Sequence, residues 1–85
     1  MKAAFSDRFV KDYTCLPGRL RDSVDKQIRL LLADPRHPSL DLKKMRDPRD
    51  IWRFKVTAGY RVTLQIEGDT YILRRVGPHD VERTP

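Results

Sequence analysis

From Ile51 onward the chain alternates apolar and polar residues with a period of two. Trp52, Phe54 and Val56 are interleaved with Arg53, Lys55 and Thr57; after Ala58-Gly59, Tyr60, Val62, Leu64 and Ile66 are interleaved with Arg61, Thr63, Gln65 and Glu67. Successive side chains on a strand point to opposite faces, so this pattern describes two strands, each with one buried face. Ala58-Gly59 reads as the turn between them, and Glu67-Gly68-Asp69 as the turn into a third run over residues 70–76. Such a meander must cover its apolar face with something else, and what precedes it in the chain is helical.

Lys2 to Phe5 make a short strand, after which Ser6 or Asp7 offers an N-cap oxygen for a helix beginning at Arg8 and carrying Phe9, Tyr13 and Leu16 at helical spacing. Pro17-Gly18 interrupts it. Leu20, Val24, Ile28, Leu31 and Leu32 then recur every three or four residues, with Arg19, Arg21, Asp22, Asp25, Lys26 and Arg29 on a solvated side. Asp34-Pro35 ends this second helix, because proline disfavours helical geometry in the residue before it. Residues 35–50 contain Pro35, Pro38 and Pro48 and read as a loop, with a possible short strand at 40–43. The expected fold is α+β: an N-terminal strand and two helices packed on one face of a small, mostly antiparallel sheet.

With 85 residues there is room for one core, so residues 1–85 are expected to form a single domain. A composition of 39% hydrophobic and 35% charged residues is too apolar for a disordered chain and too polar for a membrane protein. No apolar run approaches the roughly 18 residues needed to span a bilayer, and residues 1–5 are too short for a signal-peptide core. The single Cys15 cannot form an internal disulfide, and with two histidines it makes no zinc ligand set; it is expected to be a buried thiol in a reducing, cytoplasmic setting. The net charge of +6 on so small a body attracts polyanions, nucleic acid first.

If the alternating apolar residues face the helices, Arg53, Lys55 and Arg61 emerge together on the opposite face. Cations so placed repel one another unless an anion sits among them. The third run is ambiguous, since Tyr71 and Leu73 share a parity with Arg75 while Ile72 and Val76 share the other with Arg74; one of these arginines is expected to join the basic face. Beyond it comes Gly77-Pro78-His79-Asp80. A histidine beside arginines can move a proton while they stabilise charge on a phosphate, which are the parts needed to cleave RNA without a metal. His79 equally suits a polar C-terminal turn, with the arginines a solvated face. His37 reads as a loop residue, Trp52 as core, and Tyr60 as either core or base-stacking; no P-loop, dinucleotide fingerprint or paired-carboxylate pattern is present.

Phe5-Ser6, Phe9, Lys11-Asp12, Leu16, Asp34-Pro35, Trp52-Arg53-Phe54-Lys55-Val56, Gly59-Tyr60-Arg61-Val62 and Arg75-Val76-Gly77-Pro78-His79-Asp80 together resemble the RelE/ParE superfamily of toxins from type II toxin-antitoxin modules, nearest the RelE and YafQ branches. The resemblance covers nearly the whole chain in order. It implies a microbial-ribonuclease-like fold and a ribosome-associated endoribonuclease that cleaves mRNA, with neither metal nor cofactor. On this resemblance Arg61, His79, Lys55 and Arg75 are the expected catalytic residues, and Arg53, Lys55, Tyr60 and Arg83 the expected RNA contacts. YafQ-like toxins have histidine in place of Lys55 and an acid in place of Gly59, and the aromatic residue that follows their last histidine is missing here, leaving Arg83 as a phosphate contact. The implied partners are a cognate antitoxin, the ribosome and mRNA, with operator DNA reached only through the antitoxin complex and no membrane. Two other readings remain: a ParE-like inhibitor of DNA gyrase, and a basic nucleic-acid-binding domain without activity.

Overall fold

A computed structural model describes residues 1–85. Strand β1 (Lys2–Phe5) leads into helix α1 (Asp7–Thr14) and helix α2 (Gly18–Ala33), followed by β2 (Lys43–Lys44), β3 (Trp52–Lys55), β4 (Tyr60–Glu67) and β5 (Thr70–Pro78). Short 3₁₀ turns occupy Pro38–Leu40 and His79–Arg83. The five strands form one sheet in the order β1-β5-β4-β3-β2. Only the β1–β5 pairing is parallel. No helix is long and apolar enough to cross a membrane.

Local chemistry accounts for the joints. Ser6 caps α1, its hydroxyl accepting from Phe9 N (3.0 Å) while donating to Arg74 O (2.8 Å), so one side chain both starts the helix and ties it to β5. Pro17 precedes α2, where a missing N–H costs nothing, and Asp34-Pro35 closes it. Gly68 supplies the positive φ (58°) required by the two-residue turn between β4 and β5. The expected strand at 40–43 is instead a 3₁₀ turn followed by two strand residues. Asp41 adopts a left-handed conformation there (φ 47°), which breaks an extended run.

The helices cover one face of the sheet. Phe9 from α1 and Val24 and Leu31 from α2 meet Phe54, Val62, Leu64, Tyr71, Leu73 and Val76 in a single core. Gln27 is buried with them and is satisfied by donating Nε2 to Lys55 O (2.9 Å). Between the helices, Tyr13 donates its hydroxyl to Asp25 (2.7 Å). Losing that bond on ionisation holds the phenol's pKa above its usual value, with desolvation adding to the effect.

The parity conflict in the last strand is resolved by a β-bulge. Thr63 pairs with Arg75 and Leu64 with Leu73, so Arg74 has no opposite number. Leu73 and Val76 therefore both reach the core, and both Arg74 and Arg75 turn to the other face, where one was expected. Three further expectations are corrected. Ile66 lies past the covered part of β4 and is exposed. Cys15 is exposed because it follows α1 on the side away from the Phe9, Tyr13 and Leu16 stripe. Arg21 is half-buried and donates to Leu16 O (2.9 Å), holding the α1–α2 connection and not lying free in solvent.

Candidate nucleic-acid interface

The face of the sheet away from the helices carries its cations in cross-strand rows. Lys43, Arg53, Thr63 and Arg75 are register partners across β2, β3, β4 and β5; the next row is Lys55, Arg61 and Gly77. Neighbouring strands lie about 4.8 Å apart, so Lys55 and Arg61 are adjacent. Arg53 and Arg75 have a strand between them. The period-two reading of the sequence placed Arg53, Lys55 and Arg61 on one face, and the structure does so, adding Lys43 and Arg75 to it.

The anion that adjacent cations require is supplied by the chain itself. The C-terminal 3₁₀ turn folds under this face, burying Val81 against Gly77 and setting Glu82 between two arginines. One carboxylate oxygen is 3.0 Å from Arg53 Nε and the other 3.9 Å from Arg61 Nε. Asp41 takes Arg53 Nη1 at 3.3 Å. Desolvation would raise the Asp41 pKa, but the Arg53 hydrogen bond and the Lys43 ammonium outweigh it and hold the carboxyl below its usual range.

Arg61 is the most constrained of the set. Its Nη1 donates to Thr57 O (2.8 Å), Ala58 O (3.2 Å) and Tyr60 O (3.1 Å), clamping the β3–β4 turn. Its Nε is buried without a hydrogen-bond partner, Glu82 being too far to accept from it. Because that N–H is closed off from solvent, an incoming oxygen gains a bond to it only by displacing Glu82 and the turn that carries it.

Arg75 is held from another direction. Asp12 on α1 accepts from its Nε (3.0 Å) and Nη2 (3.3 Å) and from Val76 N (3.3 Å), while Nη1 reaches Thr84 Oγ1 (3.1 Å). Lys55 enters none of these pairs. His79 follows the last strand and is exposed; it lines a depression of about 490 Å³ with Arg53, Glu82, Arg83 and the basic loop at 43–46. Arg75 lines different depressions, one of them with Tyr60, which is half-buried against the core. Arg53, Glu82 and His79 are thus brought together and Arg75 stands apart, with Arg83 lining both neighbourhoods. His37 is used locally: its Nδ1 accepts from Ser39 N (3.2 Å) at the first 3₁₀ turn.

Sequence reasoning missed Glu82 and Asp12. The Arg8–Asp12 spacing of four along α1 was visible, but nothing in it points to Arg75, 63 positions away. Glu82 in Val81-Glu82-Arg83 carries no periodic signal at all.

A one-core α+β domain with paired helices on one side of the sheet and an arginine platform on the other is of the RelE-like toxin type. No family model matches the chain. A curated protein, toxin RelE3 of Methanocaldococcus jannaschii, is 34% identical over 82 aligned positions, spanning 89% of this chain and 88% of that protein. The solved RelB-RelE antitoxin-toxin complex from Methanococcus jannaschii superposes with a TM-score of 0.75 at 27% identity, covering 95% of both chains. YafQ from E. coli strain BL21(DE3) shares the fold at a TM-score of 0.77 and 13% identity, covering 94% of both. The chain belongs to the RelE family of toxins from type II toxin-antitoxin modules.

Proposed function

We propose that this toxin is a metal-independent endoribonuclease that cleaves mRNA on the ribosome, in the cytoplasm, and so stops translation. The observation that carries the reading is the row Lys55, Arg61 and Gly77, with His79 two residues beyond Gly77 and open to solvent. In this reading the substrate's own 2′-hydroxyl attacks the adjacent phosphorus. The 2′ oxygen–phosphorus bond forms as the phosphorus–5′ oxygen bond breaks, leaving a 2′,3′-cyclic phosphate and a free 5′-hydroxyl. Lys55 takes the 2′ proton and His79 gives one to the departing 5′ oxygen. Arg61 stabilises the crowded phosphorane once the phosphate displaces Glu82 from beside it. Arg53, Tyr60 and Arg83 hold the strand on either side.

The solved relative bound to its antitoxin supports a cognate antitoxin for this chain. An apolar depression of about 430 Å³ between the helices, with Phe5 and Val10 largely exposed at its rim, gives a segment that folds on binding something to cover.

The decisive experiment measures message cleavage on translating ribosomes with Arg61→Ala and His79→Ala proteins whose circular dichroism matches the parent. Each variant is expected to lose cleavage by about 10²-fold or more, and chelating divalent ions after ribosome loading is expected to change nothing. Undiminished cutting by both variants would sink the proposal. Intact messages with altered DNA supercoiling would replace it with the gyrase reading.

A further inference from the structure

Beside β5, bounded by the start of α1, the loop at 45–51 and the C-terminal turn, lies a depression of about 740 Å³. Its walls carry five arginines, Arg8, Arg49, Arg74, Arg75 and Arg83, together with the hydroxyl residues Ser6 and Thr84, and no carboxylate side chain. The acidic side chains that reach this group lie outside the lining of the depression. Asp12 is shared between Arg75 (3.0 Å) and Arg8 (3.7 Å), and Asp47 takes Arg49 (2.7 Å). Arg74, the bulge residue, donates to Pro85 O (3.1 Å) and Gln65 Oε1 (3.0 Å) and pairs with no acidic side chain. Crowded guanidinium groups with less than one carboxylate each repel one another, and the group that relieves this is a multiply charged anion.

The shape and lining narrow the chemistry. Ile72 is the one large apolar residue in the wall, so no aromatic or lipid body is accommodated. The depression is also continuous with the candidate interface: Arg75 belongs to the cross-strand row described above, and Arg83 lines both this depression and the one holding His79.

We infer that this arginine pocket is a second anion subsite that holds backbone phosphates of the same RNA strand, several nucleotides to one side of the bond that is cut. The inference rests on the ribonuclease reading for the identity of the strand. It adds that the toxin grips RNA over a length greater than its catalytic row. Planar guanidinium forks reading phosphates carry no base information, so the subsite contributes affinity and register and not sequence choice.

The test is fluorescence anisotropy with labelled, uncleavable 2′-O-methyl RNA of 4 and 12 nucleotides, using the parent chain and an Arg8→Gln/Arg49→Gln double variant. Both side chains are largely exposed and belong neither to the core nor to the row bearing Lys55 and Arg61. The double variant is expected to bind the 12-mer roughly tenfold more weakly than the parent, with the slope of log affinity against log salt reduced by about 1.4. Binding of the 4-mer should stay within about twofold, and Arg8→Lys/Arg49→Lys should restore most of the loss. An unchanged 12-mer affinity overturns the inference, as does a deficit seen only with ribosomal subunits and not with the naked strand, or tighter binding of duplex DNA than of single-stranded RNA through the same arginines. A parent chain that shows the length and salt dependence but never cuts a ribosome-bound message leaves the pocket standing and removes the nuclease reading.

Discussion

The two faces of the sheet are held by different physics. On the helix side Phe54, Val62, Leu64 and Leu73 are wholly withdrawn from water, and the core cluster they belong to contains no charged residue. On the other side Arg53, Arg61 and Arg75 keep 18%, 17% and 21% of their side-chain surface exposed, and each is steadied by an acid from a distant segment: Glu82 for the first two, Asp12 for the third. The apolar face is tuned by volume. The charged face is tuned by pairing, and it stays partly wet. That combination lets a rigid core present cations that can exchange an internal carboxylate for an external phosphate.

Breaking the apolar side should have the larger effect. Phe54→Ala empties a fully buried site and is expected to cost about 3–5 kcal/mol in denaturant unfolding, with little dependence on salt. Glu82→Gln removes the carboxylate between Arg53 and Arg61 at almost constant volume. These pairs are partly exposed, so the expected loss is about 1 kcal/mol or less. The same change should tighten RNA binding several-fold at low salt, because two guanidinium groups no longer have an internal competitor. If Glu82→Gln destabilised the chain as much as Phe54→Ala, or weakened RNA binding, the distinction between the faces would fail.

The apolar face was legible because burial leaves a periodic trace. Alternation over 52–66 placed Phe54, Val62 and Leu64, and three- to four-residue spacing placed Val24 and Leu31. The same alternation put Arg53, Lys55 and Arg61 together by exclusion. It failed at Arg74, where one inserted residue reverses the parity: a bulge is a feature of pairing, and no residue type announces it. The acids were illegible for a related reason. Asp12 and Glu82 find their arginines only after α1 is docked on β5 and the C-terminal turn is folded under the sheet, so the pairs are products of tertiary structure. The Arg75–His79 grouping suggested by chain proximity is loosened for the same reason, since Asp12 and Thr84 draw Arg75 into other depressions than the one His79 lines.

The smallest effect is expected from protonation, which should reach only the charged side. Asp47 receives Arg49 Nη2 (2.7 Å), Nε (2.9 Å) and backbone N (2.8 Å), and these bonds pull its pKa down to about 2. A carboxyl whose folded pKa lies below its unfolded value, near 3.9, contributes its stabilisation in full above that unfolded value. The contribution then fades as pH falls from about 4 and is gone below about 2. The group is solvent-screened, so the stability change should be slight, and the direct readout is the carboxyl carbon of Asp47 by NMR titration. Its midpoint is expected near 2 in the parent and clearly higher in Arg49→Gln, though still below the ordinary aspartate value because the backbone N–H of residue 49 continues to donate. A parent midpoint near 4 would mean that Arg49 is not held by Asp47 in solution; its guanidinium would then be free, and the loop at 45–51 would owe its place to Gln65, which donates to Arg49 O (2.9 Å), and not to an ion pair.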